Sequence, residues 1–237
     1  MIARLALAAG AAWVGYAWVA HLATPFCVHR GPRGAGRRIA LTFDDGPDPD
    51  WTPRVLEILA AHQAPSTFFL VGERAARAAG TVRTIVSHGH EIGSHGWSHT
   101  SLWRCGPWKT AEEIDRAQAA LTELTGVAPR FFRPPWGMVN AAMFPLLRVR
   151  QLRPVFWSIQ PEGLRAASPE TQASYVVRRA HPGAIVDLHD AEGTPRAPAR
   201  LVSALPAMID GLRASGYELT TVGELLGEDA RPSRPGQ

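Results

Sequence analysis

Cysteine is almost missing from this chain of 237 residues, and the two present, Cys27 and Cys105, match neither a zinc-knuckle spacing nor a disulfide framework. They read as two independent thiols. Also missing is any basic helix, or any basic stripe interleaved with aromatics. The net charge of +4 comes from arginines scattered throughout, so nucleic acid is not the expected partner. Low-complexity tracts and internal repeats are lacking too, which excludes a disordered tail-like protein and a solenoid. What remains is the composition of one large globular domain with some length left over.

Long apolar runs are absent except at the start. "LALAAGAAWVGYAWVAHLA", residues 5 to 23, reaches roughly the twenty residues that span a bilayer. A cleavage site after Ala20 would put the bulky Trp18 at minus three, so the run reads as an uncleaved single-pass membrane anchor over residues 1–24. The alternative is secretion after signal cleavage. Arg4 precedes the run and Arg30, Arg33, Arg37 and Arg38 follow it, so the positive-inside rule would keep the domain cytoplasmic, and the side of the membrane stays open. "HRGPRGAGRR" then reads as the core of a linker over 25–37, ahead of a catalytic domain at 38–227 and a tail at 228–237.

From residue 38 onward strands and helices alternate. "RIALTFDD" is a buried-type strand and "TPRVLEILAAH" a helix with Pro53 in its first turn. "STFFLVG" and "HEIGS" read as strands. "TAEEIDRAQAALTELTG" reads as a helix capped by Thr110 with Glu113 at the capping-box position and Gly126 at the stop. "RPVFWSI", "AIVDLHD" and "YELT" supply later strands, and Ser168 caps another helix. The alternation implies parallel strands with helical crossovers, and the number of units favours an α/β barrel over an open sheet.

Polar clusters fall at the C-terminal ends of these strands, the face on which parallel α/β folds assemble their sites. Asp44 and Asp45 end an apolar strand, where strict alternation would bury one of them alone, a costly arrangement without a partner or a metal. His95 and His99 are four apart in "SHGWSH", a spacing that puts two imidazoles on one face of a helical turn. With one of the acids they form three protein ligands and an open position for water. A metal there lowers the pKa of water from about 16 toward 7, and the second acid can act as base. His189 in "IVDLHD" can protonate a poor leaving group, or be a core histidine bonded to Asp187 or Asp190. Arg133, on an apolar strand, needs a carboxylate, and Asp44 would serve. His88 and His90 precede their strand and read as structural or solvated.

"TFDDGP", "SHGWSH", "RPPWG" and "DLHD", in this order, resemble the first, second, third and fifth motifs of the polysaccharide deacetylase family, carbohydrate esterase family 4, over about residues 37 to 226. The resemblance implies a distorted (β/α) barrel of about seven or eight units, here with an N-terminal apolar helix. It implies metal-dependent removal of acetyl groups from N-acetylated, sometimes O-acetylated, sugars. By position, Asp44 is the general base, Asp45, His95 and His99 hold one divalent metal, and His189 is the general acid. Arg133 orients the base, Trp136 lines the substrate site with its backbone N–H toward the oxyanion, and Trp157 and Leu188 shape the acetyl pocket. Zinc suits the donor set. The expected partners are an N-acetylated glycan or glycolipid and, through the anchor, a membrane; the chain is expected to be a monomer. The other readings are a non-catalytic carbohydrate-binding relative and a hydrolase of another amide or ester. The fourth motif departs from the family: "WSIQPEGLR" has Gln160 in place of an acid, and Glu162 is the nearest carboxylate left to hold Arg133.

Overall fold

The computed structural model describes residues 2–161, 167–191 and 196–228. Seven strands make one sheet: β1 (Arg38–Asp44), β2 (Thr67–Leu70), β3 (Glu91–Ser94), β4 (Phe131–Phe132), β5 (Arg153–Pro154), β6 (Ile185–His189) and β7 (Glu218–Thr220). Their order is β5-β4-β3-β2-β1-β6, every pairing is parallel, and β7 joins the N-terminal half of β1. A bridge between Ile159 and Val186 brings the segment after β5 against β6. The sheet thereby curls into a distorted barrel of the expected kind.

The helices are α1 (Ile2–Trp18), α2 (Thr52–Ala61), α3 (Gly72–Arg77), α4 (Ala79–Ser87), α5 (Pro107–Thr125), α6 (Met143–Val149), α7 (Pro169–Arg179), α8 (Ala197–Ala214) and α9 (Val222–Leu225). Strand alternation sorts the core into two sides. Ile39, Leu41, Phe43, Phe68, Leu70, Val186 and Leu188 pack with α2 and α8 residues such as Val55, Leu59, Leu201 and Met208. On the other side Ala40, Phe69, Phe131, Val155 and Ile185 fill the barrel, with Val222 and Leu225 of α9 plugging its lower end. Thr42 and Asp44 share parity with Ala40, and Asp187 and His189 share it with Ile185. All four therefore face the barrel interior.

The structure lends the expected N-terminal anchor no support. Among the described residues no helix is long and apolar enough to cross a membrane. α1 ends at Trp18 and continues as a 3-10 turn, Val19–Phe26, containing Pro25. Ala17 and Ala20 are buried, the Ala141 N–H donates to the Tyr16 carbonyl at 3.0 Å, and Trp13 Nε1 donates to the Trp103 carbonyl. The end of the helix thus lies on the domain. The expected linker is also docked: Val28 bridges Val155, Arg30 bridges Ala184, and Ala35 is buried. Cys27 and Cys105 are both free thiols.

α3 and α4 are separated at Ala78, where φ is −122° and ψ 45°. One helix boundary differs from the sequence reading. α5 begins at Pro107, three residues early, so Thr110 sits inside it and Glu113 is not a capping residue. Gly126 does end it, in the left-handed conformation that glycine adopts without steric cost.

Candidate metal centre and active site

β1 delivers Asp44 in strand geometry, and the chain then leaves the strand at once. Asp45 has φ of 73°, a left-handed backbone that swings its carboxylate away from Asp44 and toward the β3 loop. Gly46 follows because a side chain there would run into the Asp190 carboxylate. That carboxylate is anchored by the Thr52 hydroxyl, and burial pushes it up to about 7.

The two histidines do not lie on a helical turn, as their spacing suggested. They sit on a loop leaving β3, bent by left-handed Gly96 (φ 79°) and His99 (φ 56°). Glu113, fully buried on α5, holds this loop. It accepts from the Trp97 N–H (3.1 Å), the Ser98 N–H (2.8 Å) and the Ser98 hydroxyl (2.8 Å), and Lys109 pairs with it at 3.0 Å. The outcome is two imidazoles with ring centroids 5.2 Å apart, both next to Asp45.

The donor chemistry fits a cation. His95 Nδ1 lies 2.8 Å from the Arg133 carbonyl, an oxygen that can only accept, so Nδ1 carries the proton and Nε2 presents a lone pair. That lone pair lies 3.4 Å from Asp45 Oδ1, and His99 Nε2 lies 2.8 Å from the same oxygen. Despite these approaches, Asp45 Oδ1 is buried without a hydrogen bond among the described residues. Acceptors converging on a buried point call for a positive ion between them. Burial alone would raise the Asp45 carboxyl, but the imidazoles of His95 and His99 outweigh it and hold it far below the usual carboxylate range. Burial lowers His99. It acts the same way on His95, where the Asp44 and Asp45 charges override it and raise that ring. Asp44, Asp187 and His189 also offer donor atoms within 4.8 Å of one another. A cation is already there, because the Arg133 guanidinium occupies the space between the two carboxylates.

Arg133 is fully buried. Its Nη1 donates to Asp44 Oδ1 at 2.7 Å, to Thr42 Oγ1 at 2.8 Å and to Asp187 Oδ1 at 3.3 Å. Its Nε and Nη2 donate to the carbonyls of Val155 and Phe156, and the guanidinium lies 4.1 Å over the Phe69 ring. The second carboxylate at Arg133 is thus Asp187. Glu162, the residue expected there, lies outside the described residues. Asp187 Oδ2 accepts from Gln160 Nε2 at 2.9 Å. His189 is the register partner of Asp44 across the β1–β6 ladder, which puts the expected base and acid side by side.

Trp136, with φ of 56°, is 57% exposed at the rim and its ring lies 4.1 Å from that of His99. Trp157 packs beside Gly137, where a side chain would meet its ring. Leu188 is corrected: strand parity turns it away from Asp187 and His189 into the helix-covered core, where it is fully buried, so it does not shape the site. Sequence reasoning missed Asp187 and Glu113. The signal for Asp187 was available, two residues before His189 on a strand.

Comparison with known proteins agrees with this geometry. A family model described as polysaccharide deacetylase matches residues 32–155. The chain is 31% identical over 210 residues to a peptidoglycan-N-acetylglucosamine deacetylase of Bacillus cereus, covering 89% of this chain and 74% of that one. It is 33% identical over 213 residues to a chitooligosaccharide deacetylase of Bradyrhizobium sp., covering 84% and 96%. The crystal structure of a peptidoglycan N-acetylglucosamine deacetylase matches with a TM-score of 0.80 at 30% identity, covering 84% of this chain and 92% of that one. Motif order, barrel and donor set converge on one assignment: the chain belongs to the polysaccharide deacetylase family, as a divalent-metal-dependent carbohydrate N-deacetylase.

Proposed function

We propose that the substrate is an N-acetylglucosamine unit of a glycan, that the metal is zinc, and that Asp45, His95 and His99 hold it. One observation carries this reading. A buried acid hydrogen-bonded by Arg133, a three-donor cation site and a histidine in register with that acid all meet at one strand end. Two imidazoles and one carboxylate suit zinc better than magnesium or calcium, which favour all-oxygen shells. When bound, such an ion makes hydroxide available near neutrality and polarises a carbonyl.

The chain's own groups supply the rest. Asp44, oriented by Arg133, takes a proton from the attacking water as its oxygen bonds to the acetyl carbon. The backbone N–H of Trp136 is the donor for the oxyanion that develops. His189 delivers a proton to the sugar nitrogen as the C–N bond breaks, leaving acetate and a free amine. Trp136 and Trp157 offer flat apolar faces to a sugar ring. The relatives' substrates, peptidoglycan and chitooligosaccharide, support a glycan chain as the acyl carrier.

The test is acetate release by the purified full chain from chitooligosaccharides, peptidoglycan fragments and N-acetylglucosaminyl lipids. Release from at least one of the first two, lost on exhaustive chelation and restored by zinc, is expected. Full activity in metal-free protein, or no release from any N-acetylated sugar, would overturn the reading.

A further inference from the structure

Arg133 Nη1 has two hydrogens and three acceptors: Asp44 at 2.7 Å, Thr42 at 2.8 Å and Asp187 at 3.3 Å. The Asp187 contact is the longest of the three, yet the residue is 1% exposed. Its other oxygen accepts from Gln160 Nε2 at 2.9 Å, so the carboxylate ties together more than the arginine. His189 offers a ring nitrogen within 4.8 Å of oxygens of both Asp44 and Asp187. A carboxylate at that range favours the imidazolium. A protonated imidazole is the state a general acid needs before it acts.

Resting on the acid–base reading above, we propose that Asp187 is a positioning residue for both Arg133 and His189. It acts through its charge, and Gln160 fixes its orientation. The anion comes from β6 because position 160 holds an amide. Gln160 Nε2 donates to Asp187 Oδ2 at 2.9 Å, which turns Oδ1 toward Arg133. Strand parity then sets Asp187 on the same inner face as His189.

The local chemistry allows charge to be separated from hydrogen bonding. In Asp187→Asn the amide oxygen still accepts from Arg133, and a flipped Gln160 accepts from the new amide nitrogen. The hydrogen bonds to Arg133 and Gln160 both survive while the charge is lost. In the double variant Asp187→Asn with Gln160→Glu, the carboxylate returns one hydrogen bond further out, in an equivalent network. The single variant Gln160→Glu instead sets two carboxylates face to face.

The experiment measures kcat and KM for a soluble N-acetylated chitooligosaccharide with full-length zinc-loaded protein, alongside metal content and Tm. Asp187→Asn should lose about 10- to 100-fold in kcat, the usual size of effect for groups that orient a site. KM and metal content should stay near wild type. The double variant should recover at least about half of that loss on a logarithmic scale, and Gln160→Glu alone should be impaired. Wild-type kcat in Asp187→Asn, or a double variant no better than Asp187→Asn, would overturn the proposal. Asp44→Asn, run in parallel, separates it from the reading beneath it. If Asp44→Asn is inactive while Asp187→Asn is not, only the positioning role falls; if Asp44→Asn turns over normally, both fall.

Discussion

Two arginines bracket β4, and they live in different worlds. Arg133, just past the strand, is fully buried between Asp44 and Asp187. Arg130, just before it, reaches Glu91 at 3.2 Å and Glu228 at 3.5 Å with its side chain 39% exposed. A cavity of about 560 Å³ opens beside Arg130, lined also by His90, Gln118 and Glu224. At that end burial pushes the Glu91 carboxyl up, against the pull of the Gly223 N–H, Thr67 and Arg130. At the other end Asp45 is held far down. The same residue types thus make a tolerant, solvent-buffered network below the sheet and a fully committed one above it. Water can replace a lost partner of Arg130; nothing can replace one of Arg133.

The contrast breaks most sharply at the paired acids. Asp44→Asn should cost about 10²- to 10⁴-fold in kcat, the range for losing a general base, while metal content stays intact. Asp45→Asn should instead release the metal. Equal metal loss in both, measured by elemental analysis, would erase the division of labour between neighbours. Arg133→Met comes next. It strands two buried carboxylates, so unfolding free energy should fall by about 3–5 kcal/mol in denaturant titration and activity should vanish. A loss below 1 kcal/mol would mean that water reaches the barrel interior.

At the lower end the effects depend on pH. His90 is buried with neither ring nitrogen hydrogen-bonded among the described residues, and burial, with a smaller contribution from His88, pushes it down to about 4. Because the folded value lies below the ordinary 6.5, its contribution to stability is full above pH 6.5 and is lost as pH falls from 6.5 to 4. His90→Phe should remove about 3 kcal/mol of acid sensitivity across that window. Stability curves of variant and wild type that stay parallel from pH 7 to about 4 would sink this. Smallest of all, Arg130→Gln should cost no more than about 1 kcal/mol, as expected of a half-exposed pair. A loss as large as that of Arg133→Met would abolish the comparison.

Much of the upper end could be read from the sequence because its signals are local. An apolar run closed by "DDGP", a His-His spacing and an arginine on an apolar strand each carry their own chemistry. Contacts spanning elements were harder to read. Asp187 looked like a possible structural partner for His189, and only the β1–β6 register reveals that it faces Arg133. The same parity argument, applied to "VDLH", would have moved Leu188 to the core. Glu113 fitted a capping-box pattern, and nothing local announced that α5 starts at Pro107 and lends that carboxylate to the His95–His99 loop. The N-terminal run had the length and apolarity of a span, but Trp18 ends its helix and Ala17 and Ala20 dock on the domain. Hydropathy alone does not register that docking.

The position of β1 in the sheet also sets a timetable for synthesis. β1 leaves the ribosome before the other strands, yet two of its three partners, β6 and β7, come from the last quarter of the chain. Asp45, His95 and His99 emerge together with β1 to β3, whereas His189 and Asp187 follow much later. At about 5–20 residues per second the delay is on the order of ten seconds. During that interval the nascent chain carries the three proposed metal donors and the proposed base without the proposed acid. One flank of β1 is then an open parallel edge of the kind that recruits foreign strands. The central strand that makes the finished barrel catalytic is, until β6 arrives, the segment most in need of protection.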